Sequence, residues 1–497
     1  MGHSNGNFAL LVQATCERLP DRPALFHRGA WISYRGLGRR IEAWAAALQA
    51  AGATRGRCVT LWLPNSPAFV AAFAATLRLG AVAAPLGVLL TPREVRRRLE
   101  ISEAAVLVTT PALASSLGDV QARVLAVDPA GLDILARAAA PAPAACRDDD
   151  VAVLIFTSGT TGDAKAAELT HGGLAWNARA LADTFALTAD DVQLAVAPLS
   201  HVLGMTGVMN ASLLTGAAIA LMERFDAAAA FSLLASAGIT GVVGAPPMFA
   251  ALLREALKAE APPRLRFAMA GGAPLTKELA RSVEETFQCA MREGYGMSEV
   301  GGGISGAPVM SARKPQSVGP ALPGSEIRIV DVVIRTPLAA GERGEVQVRS
   351  PSVMRGYRSD EDATRAAVDA DGWLSTGDIG YIDDDRDLFL VDRKKDLIIR
   401  SGYNVYPGEV EEVLFSCPGV LEAAVVGVPD AEHGEEVVAL IVPTQDGVDA
   451  EAVKAFARER LAAYKYPRRV VIVKDLPKGP TGKVAKRQID RAALLAR

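Results

Sequence analysis

Short apolar runs alternate along the chain with longer stretches whose apolar positions recur at helical spacing. Cys58–Leu63 (CVTLWL), Ala105–Thr109 (AVLVT), Val151–Phe156 (VAVLIF) and Gly241–Gly244 read as strands. Their hydrophobicity is too continuous to leave a solvent-facing side, the pattern of strands buried on both faces. Between such runs lie Pro67–Leu77 and Pro92–Ile101, which have few breakers and predict helices. This rhythm predicts an α/β protein with largely buried sheets. The Ala/Pro-rich Ala138–Ala145 reads as a surface connection. No period of repetition is visible, which excludes a solenoid.

Val202 to Met222 runs 21 residues without a charge, nominally enough to span a bilayer. It contains Gly204, Gly207, Asn210, Thr215 and Gly216, and no Lys/Arg cluster flanks it. The expected structure is a buried helix, a turn at Thr215-Gly216 and a short strand over Ala217–Met222, with no integral membrane association.

At 497 residues the chain holds about three core-sized units. Its 53 Lys+Arg and 56 Asp+Glu leave a net charge of −3, so no global positive field exists for nucleic acid. Half the residues are apolar, which excludes a disordered charged tail. The five cysteines are scattered, so neither a disulfide framework nor a clustered zinc site is legible. The N-terminal residues lack a basic region followed by an apolar core. A reducing cytoplasm is the expected compartment.

Charge also marks a boundary. Residues 409–451 carry eleven Asp/Glu and no Lys or Arg, whereas residues 454–497 carry thirteen Lys/Arg against three Asp/Glu. Just upstream, Asp383–Asp387 reads as a polar turn and Asp392–Asp396 (DRKKD) as a charged connector. The domain junction is expected there, dividing residues 1–393 from 394–497.

The strongest local chemistry is Thr157-Ser158-Gly159-Thr160-Thr161-Gly162-Asp163-Ala164-Lys165, directly after the VAVLIF run. Phosphate binding needs such a set: glycines let backbone N–H groups approach, hydroxyls donate to oxygens, and lysine supplies a point charge. Ala164 stands where a Walker A loop needs glycine, so the loop is of another kind. On its own, a Ser/Thr/Gly turn is as readily an ordinary loop.

Seven further segments follow in order: Pro198-Leu199-Ser200-His201, Gly271-Gly272-Ala273-Pro274, Tyr295-Gly296-Met297-Ser298-Glu299, Ser375-Thr376-Gly377-Asp378, Asp392-Arg393-Lys394-Lys395-Asp396, Ser401-Gly402-Tyr403-Asn404 and Pro480-Thr481-Gly482-Lys483. With the loop, this series resembles the adenylate-forming superfamily, which includes acyl-CoA synthetases, and the resemblance covers about residues 20–490. It implies a large N-terminal domain of mixed sheets flanked by helices and a small mobile α+β C-terminal domain. Two departures fall in the loop, Ala164 where the family has Pro and Ala166 where it has Gly; neither removes a hydroxyl or the lysine.

The resemblance implies an ATP-dependent carboxylic acid–CoA ligase that works through an acyl-adenylate. Thr157 to Gly162 and Lys165 would hold the phosphates, with Thr160 and Glu299 on Mg2+. Gly272, Ala273, Pro274, Tyr295, Gly296, Met297 and Ser298 would enclose adenine; alone, Tyr295 is as readily a core residue and Gly271–Pro274 an ordinary turn. Asp378 and Arg393 would contact ribose; alone, the first suits a backbone cap and the second an interdomain ion pair. His201 would lie beside the acyl carboxylate, although a satisfied core histidine fits the residue equally well. Lys483 would reach the carboxylate and the α-phosphate, neutralising charge as they react. Lys395 would be the hinge, and Gly402 would line the path of coenzyme A in the second half-reaction.

The resemblance further implies that the acyl pocket draws on His201–Met205, Val243–Phe249, Ala270–Ala273, and Met297 with Gly301–Ser305. No Asp stands near Ser200-His201 to pair with an α-ammonium, and no Arg lies in these segments for a second carboxylate. The expected substrate is an apolar fatty, alicyclic or aryl acid, with Gly301–Gly303 making room for bulk. The alternative is an acyl-AMP ligase loading an acyl carrier protein. A homodimer is compatible with the resemblance.

Overall fold

The structure is a computed structural model, which describes residues 6–128, 140–158, 164–312, 314–401, 403–430, 432–444, 447–478, 484 and 486–495. Two compact units divide the chain: Met1–Ile327 with Val348–Leu374, and Arg328–Gln347 with Ser375–Arg497.

The first unit contains two sheets. Six strands are ordered Arg123–Ala126, Ala104–Thr109, Cys58–Trp62, Val82–Pro85, Val151–Ser158 and Ala164–Thr170. Eight more are ordered Gly302–Gly306, Ala290–Met297, Phe267–Gly271, Gly241–Gly244, Val192–Ala195, Ala218–Leu221, Pro23–His27 and Ala30–Ser33. Inner neighbours such as Cys58–Trp62 and Val82–Pro85 pair in parallel, while antiparallel pairs occur at the edges. Parallel strands need cover on both faces, which is why every residue of Cys58–Trp62 and of Gly241–Gly244 is buried.

The first predicted helix spans Pro67–Arg78 and buries all twelve residues. Pro67 starts it, and the Ser66 side chain accepts the Phe69 N–H as cap. The second spans Pro92–Ser102 behind a capping box of Thr91 and Glu94. The charge-free stretch divides as expected: helix Val202–Gly204, a π-helical turn Met205–Asn210, helix Ala211–Thr215, then strand Ala218–Leu221. Gly216, at φ 94°, makes the break that the sequence marks. Among the described residues, no helix is long and apolar enough to cross a membrane. Residues 140–145 are irregular, as expected of a connection, while 138 and 139 lie outside the described residues. The five cysteines are free thiols.

The second unit carries the four-stranded sheet Glu326–Val330, Gly344–Arg349, Leu374–Ile382 and Leu388–Arg393, whose first three strands begin or end just across the unit boundary. The acidic run 383–387 is the hairpin turn between the last two, with Asp383 Oδ1 accepting the N–H groups of Asp385 and Asp387. A further sheet orders Tyr403–Val405, Ile398–Arg400, Gly434–Pro443 and Val420–Asp430, and Arg469–Ile472 pairs with Gly434–Pro443. Alternation along its central strands makes two cores. Val425, Val437, Ala439 and Ile441 pack with Val410, Leu414, Val453 and Ala457. Ala424, Val426, Val438 and Leu440 pack with Leu476, Ile489 and Leu494.

Candidate active site

The strand Val151–Ser158 carries the candidate phosphate loop at its end and returns as the antiparallel strand Ala164–Thr170, with Thr157 opposite Lys165 and Ser158 opposite Ala164. The loop therefore closes a hairpin and is not followed by a helix N-terminus. Gly159, Thr160, Thr161 and Gly162, with the side chain of Ser158, lie outside the described residues. Ala166 is buried among Cys58, Val82, Ala84 and Leu154. Its departure from the family's glycine places a methyl in the core.

The Tyr295–Glu299 motif forms from the strand Ala290–Met297, which ends in the short 3-10 turn Ser298–Val300. Gly301, at φ 66°, reverses the chain into the antiparallel strand Gly302–Gly306. A Cβ at Gly296 would stand 2.0 Å from the Gly302 carbonyl oxygen, so only glycine permits this pairing. Tyr295 is 9% exposed on this strand, and Glu299 is equally buried.

A segment absent from the sequence-derived site joins these pieces. Residues 354–358 run beside the strand Ala164–Thr170: the Arg355 N–H donates to the Glu168 carbonyl at 2.8 Å, Glu168 N–H to Gly356 at 2.9 Å, and Arg358 N–H to Ala166 at 2.8 Å. The Met354 N–H donates to the Glu299 carbonyl at 2.7 Å. Tyr357 then donates its hydroxyl to Glu299 Oε1 at 2.9 Å, while Lys165 Nζ lies 5.2 Å from its ring centroid and 3.6 Å from Asp360. Burial, and then the Glu299 carboxylate, push the Tyr357 phenol above its ordinary range, so it remains the donor. Asn177 supports the same turn, donating to Gly303 O at 2.9 Å and Ser352 Oγ at 3.1 Å and accepting the Gly303 N–H at 3.1 Å.

The expected acyl-pocket segments meet in the first unit. A Cβ on Gly271 would stand 3.2 Å from Leu203, and one on Gly207 would stand 3.6 Å from Val243. Thr206 donates its hydroxyl to the Gly301 carbonyl. Gly302 and Gly303 differ from their expected role. A Cβ on Gly302 would lie 2.7 Å from Asn177 Oδ1, and one on Gly303 would lie 2.9 Å from Leu181. Their missing side chains admit the helix His171–Thr184 to the strand, and the space is already filled. His201 is exposed and accepts the Leu203 N–H on Nδ1 at 3.2 Å, capping the turn that leads into the π-helical segment. Such widened turns often mark functional sites. Gly272, Ala273 and Pro274 form the turn after Phe267–Gly271, where Glu293 Oε1 accepts the Leu275 N–H at 3.1 Å. Met297 and Ser298 are half-buried at the end of their strand.

In the second unit Asp378 and Arg393 are cross-strand partners, with Arg393 Nε 3.4 Å from Asp378 Oδ1. Thr376 Oγ1 accepts the Asp378 N–H at 3.1 Å. Lys395 lies in the 3-10 turn Lys394–Asp396, next to Lys394, whose ammonium meets Glu345 at 2.8 Å. Gly402 and Lys483 lie outside the described residues.

No group of three or more His, Cys, Asp or Glu among the described residues could hold a metal. Glu299 offers one hard carboxylate oxygen beyond the one that accepts Tyr357. That donor set does not cage a metal by itself, but it suits Mg2+, which keeps waters and takes its remaining oxygens from a phosphate chain.

Residues 12–358 match the family described as AMP-binding enzyme, and residues 409–483 match its C-terminal domain. A feruloyl-CoA synthase from Amycolatopsis sp is 36% identical over 478 residues, 95% of this chain and 96% of that protein. A 4-coumarate–CoA ligase from Oryza sativa subsp. japonica is 34% identical over 486 residues, 93% of this chain and 88% of that protein. ATP-bound MatB from Rhodopseudomonas palustris superposes with a TM-score of 0.89 at 31% identity, covering 97% of this chain and 98% of that one. The chain belongs to the AMP-binding enzyme family, and within the adenylate-forming superfamily it is an AMP-forming acid–thiol ligase.

Proposed function

We propose that the protein joins an aryl carboxylic acid of the hydroxycinnamate type to coenzyme A at the expense of ATP. The observation that carries this reading is the buried Glu299 carboxylate, held beside the lysine of the phosphate loop by a single aromatic side chain, Tyr357. The relatives' action on ferulate and coumarate and the apolar character of the segments around Leu203, Val243 and Gly271 support the acid class.

The substrate carboxylate is ionised at neutral pH and attacks the α-phosphorus without a general base. The bond to pyrophosphate breaks, and the acyl-adenylate forms as a mixed anhydride. Thr157 to Gly162 and Lys165 orient the β- and γ-phosphates, while Glu299 and Thr160 would hold Mg2+, which would screen the triphosphate charge. Tyr295 and Gly272–Pro274 enclose the adenine, and Asp378 with Arg393 takes the ribose hydroxyls. Lys483 places an ammonium where charge builds between carboxylate and phosphorus. In the second half-reaction the thiol of coenzyme A attacks the acyl carbonyl and AMP leaves. The connector around Lys395 turns residues 394–497 between the two steps, withdrawing Lys483 and bringing Gly402 to the pantetheine path.

The test is pyrophosphate release over a panel of ferulate, 4-coumarate, octanoate and amino acids, with and without coenzyme A. Release with ferulate or 4-coumarate, and a thioester on adding coenzyme A, is expected. Release with amino acids alone overturns the substrate class.

A further inference from the structure

The second unit contains a buried charge cluster outside the groups assigned above. Lys486 Nζ lies 2.7 Å from Glu411 Oε1, and the two side chains are only 15% and 16% exposed. Glu411 also accepts the Val425 N–H at 2.6 Å. A second carboxylate, Asp392, feels the same ammonium and accepts the Gly408 N–H at 2.6 Å and the Arg393 N–H at 2.7 Å. Asp392 opens the connector, and Gly408 and Glu411 lie on the first turns of the helix Pro407–Phe415. Burial pushes both carboxyls upward, and Lys486 holds them back toward the charged form.

Buried ion pairs of this kind add little net stability over an apolar substitute, which directs attention to geometry. Lys486 follows Lys483 by three residues, at most about 11 Å of extended chain. On the other flank Lys478 bridges to Val484 and pairs with Glu422 at 2.6 Å. Residues 479–483 are therefore bracketed by two lysines anchored to the body of the unit. The Lys486 anchor meets the helix Pro407–Phe415 at Glu411, and the Gly408 N–H of that helix donates to Asp392 of the connector.

We propose that Lys486 is a positioning residue for adenylation, anchoring the chain three residues after Lys483 to the helix Pro407–Phe415 at Glu411 and, through Gly408, to Asp392 of the connector. The inference rests on the reading above, in which Lys483 serves the first half-reaction. That anchor limits the span of chain between Lys483 and the connector side of the unit.

The test compares the full-length wild type with Lys486→Arg, Lys486→Met and the double variant Glu411→Gln/Lys486→Met. The double variant removes the Glu411 charge together with its partner, while Asp392 keeps the Gly408 and Arg393 N–H groups, and so guards against simple unfolding. Two rates are read: pyrophosphate release with ferulate and MgATP, and thioester formation from supplied feruloyl-AMP and coenzyme A. Lys486→Met and the double variant are expected to lower the first on the order of 10- to 100-fold while sparing the second, as misplacement of a catalytic group by about 1 Å would. Lys486→Arg is expected to restore most of the first. An equal fall in both rates, or an unchanged first rate in either Met-bearing variant, overturns the inference. A wild type that releases no pyrophosphate with any acid overturns instead the functional reading beneath it.

Discussion

The hydroxyl of Tyr357 lies 2.9 Å from the carboxylate of Glu299, and its ring lies beneath the ammonium of Lys165. One side chain thus meets both an acid suited to Mg2+ and a cation suited to phosphate. Tyr357→Phe keeps the ring and removes only the donor. Hydrogen bonds to charged groups are worth about 1.5–3 kcal/mol, so adenylation is expected to fall roughly 10- to 100-fold and to need more Mg2+. Pyrophosphate release titrated with Mg2+ measures both effects, while thioester formation from supplied acyl-adenylate is expected to persist.

Lys483 and Lys395 serve different half-reactions in the mechanism above. Lys483→Ala is expected to abolish acyl-AMP formation and leave thioester formation from supplied acyl-AMP intact. Lys395→Pro, which stiffens the connector, is expected to do the reverse. Assaying the two half-reactions separately decides the matter, since parallel loss of both would refute the division of labour.

Gly296 has no room for a methyl group, because the Gly302 carbonyl oxygen occupies the place. Gly296→Ala is expected to force the two strands apart beside Glu299, costing about 1–3 kcal/mol as other overpacked sites do. A lower melting temperature together with weaker adenylation is the expected outcome, read by calorimetry and pyrophosphate release.

His171 is fully buried at the start of its helix, accepts the Phe8 N–H on Nδ1 at 3.2 Å, and among the described residues has no partner for Nε2. Burial lowers its pKa to about 4 from 6.5. Between those values the unfolded chain binds the extra proton and the folded chain does not, so stability falls as pH drops from 6.5 toward 4. The loss approaches about 3 kcal/mol for this group. His171→Asn keeps an acceptor for Phe8 without the titration, and it is expected to shrink the difference in melting temperature between pH 7 and pH 5. An undiminished difference would assign the acid sensitivity elsewhere, His27 being the other buried histidine with a lowered pKa.

Much of the architecture was legible because it is written in contiguous residues. The VAVLIF run and the Pro67 helix need only their own burial pattern, and Thr215-Gly216 breaks the charge-free stretch through Gly216 itself. The hairpin return after the phosphate loop was less legible, since a strand over Ala164–Thr170 and a helix entry begin with similar residues.

The ordered series of motifs pointed to the chemistry through its resemblance to the adenylate-forming superfamily, since each motif is a short contiguous run that can be read without the fold. What holds those groups in place was decided only by the fold. Tyr357 meets Glu299 across 58 positions and Lys486 meets Glu411 across 75, distances over which no spacing rule operates. Gly302 and Gly303 showed the same limit in reverse: their sequence suggested open space, and the neighbouring helix had taken it. A side chain's own chemistry is local, whereas its neighbours and the room around it are properties of packing between segments far apart in the chain.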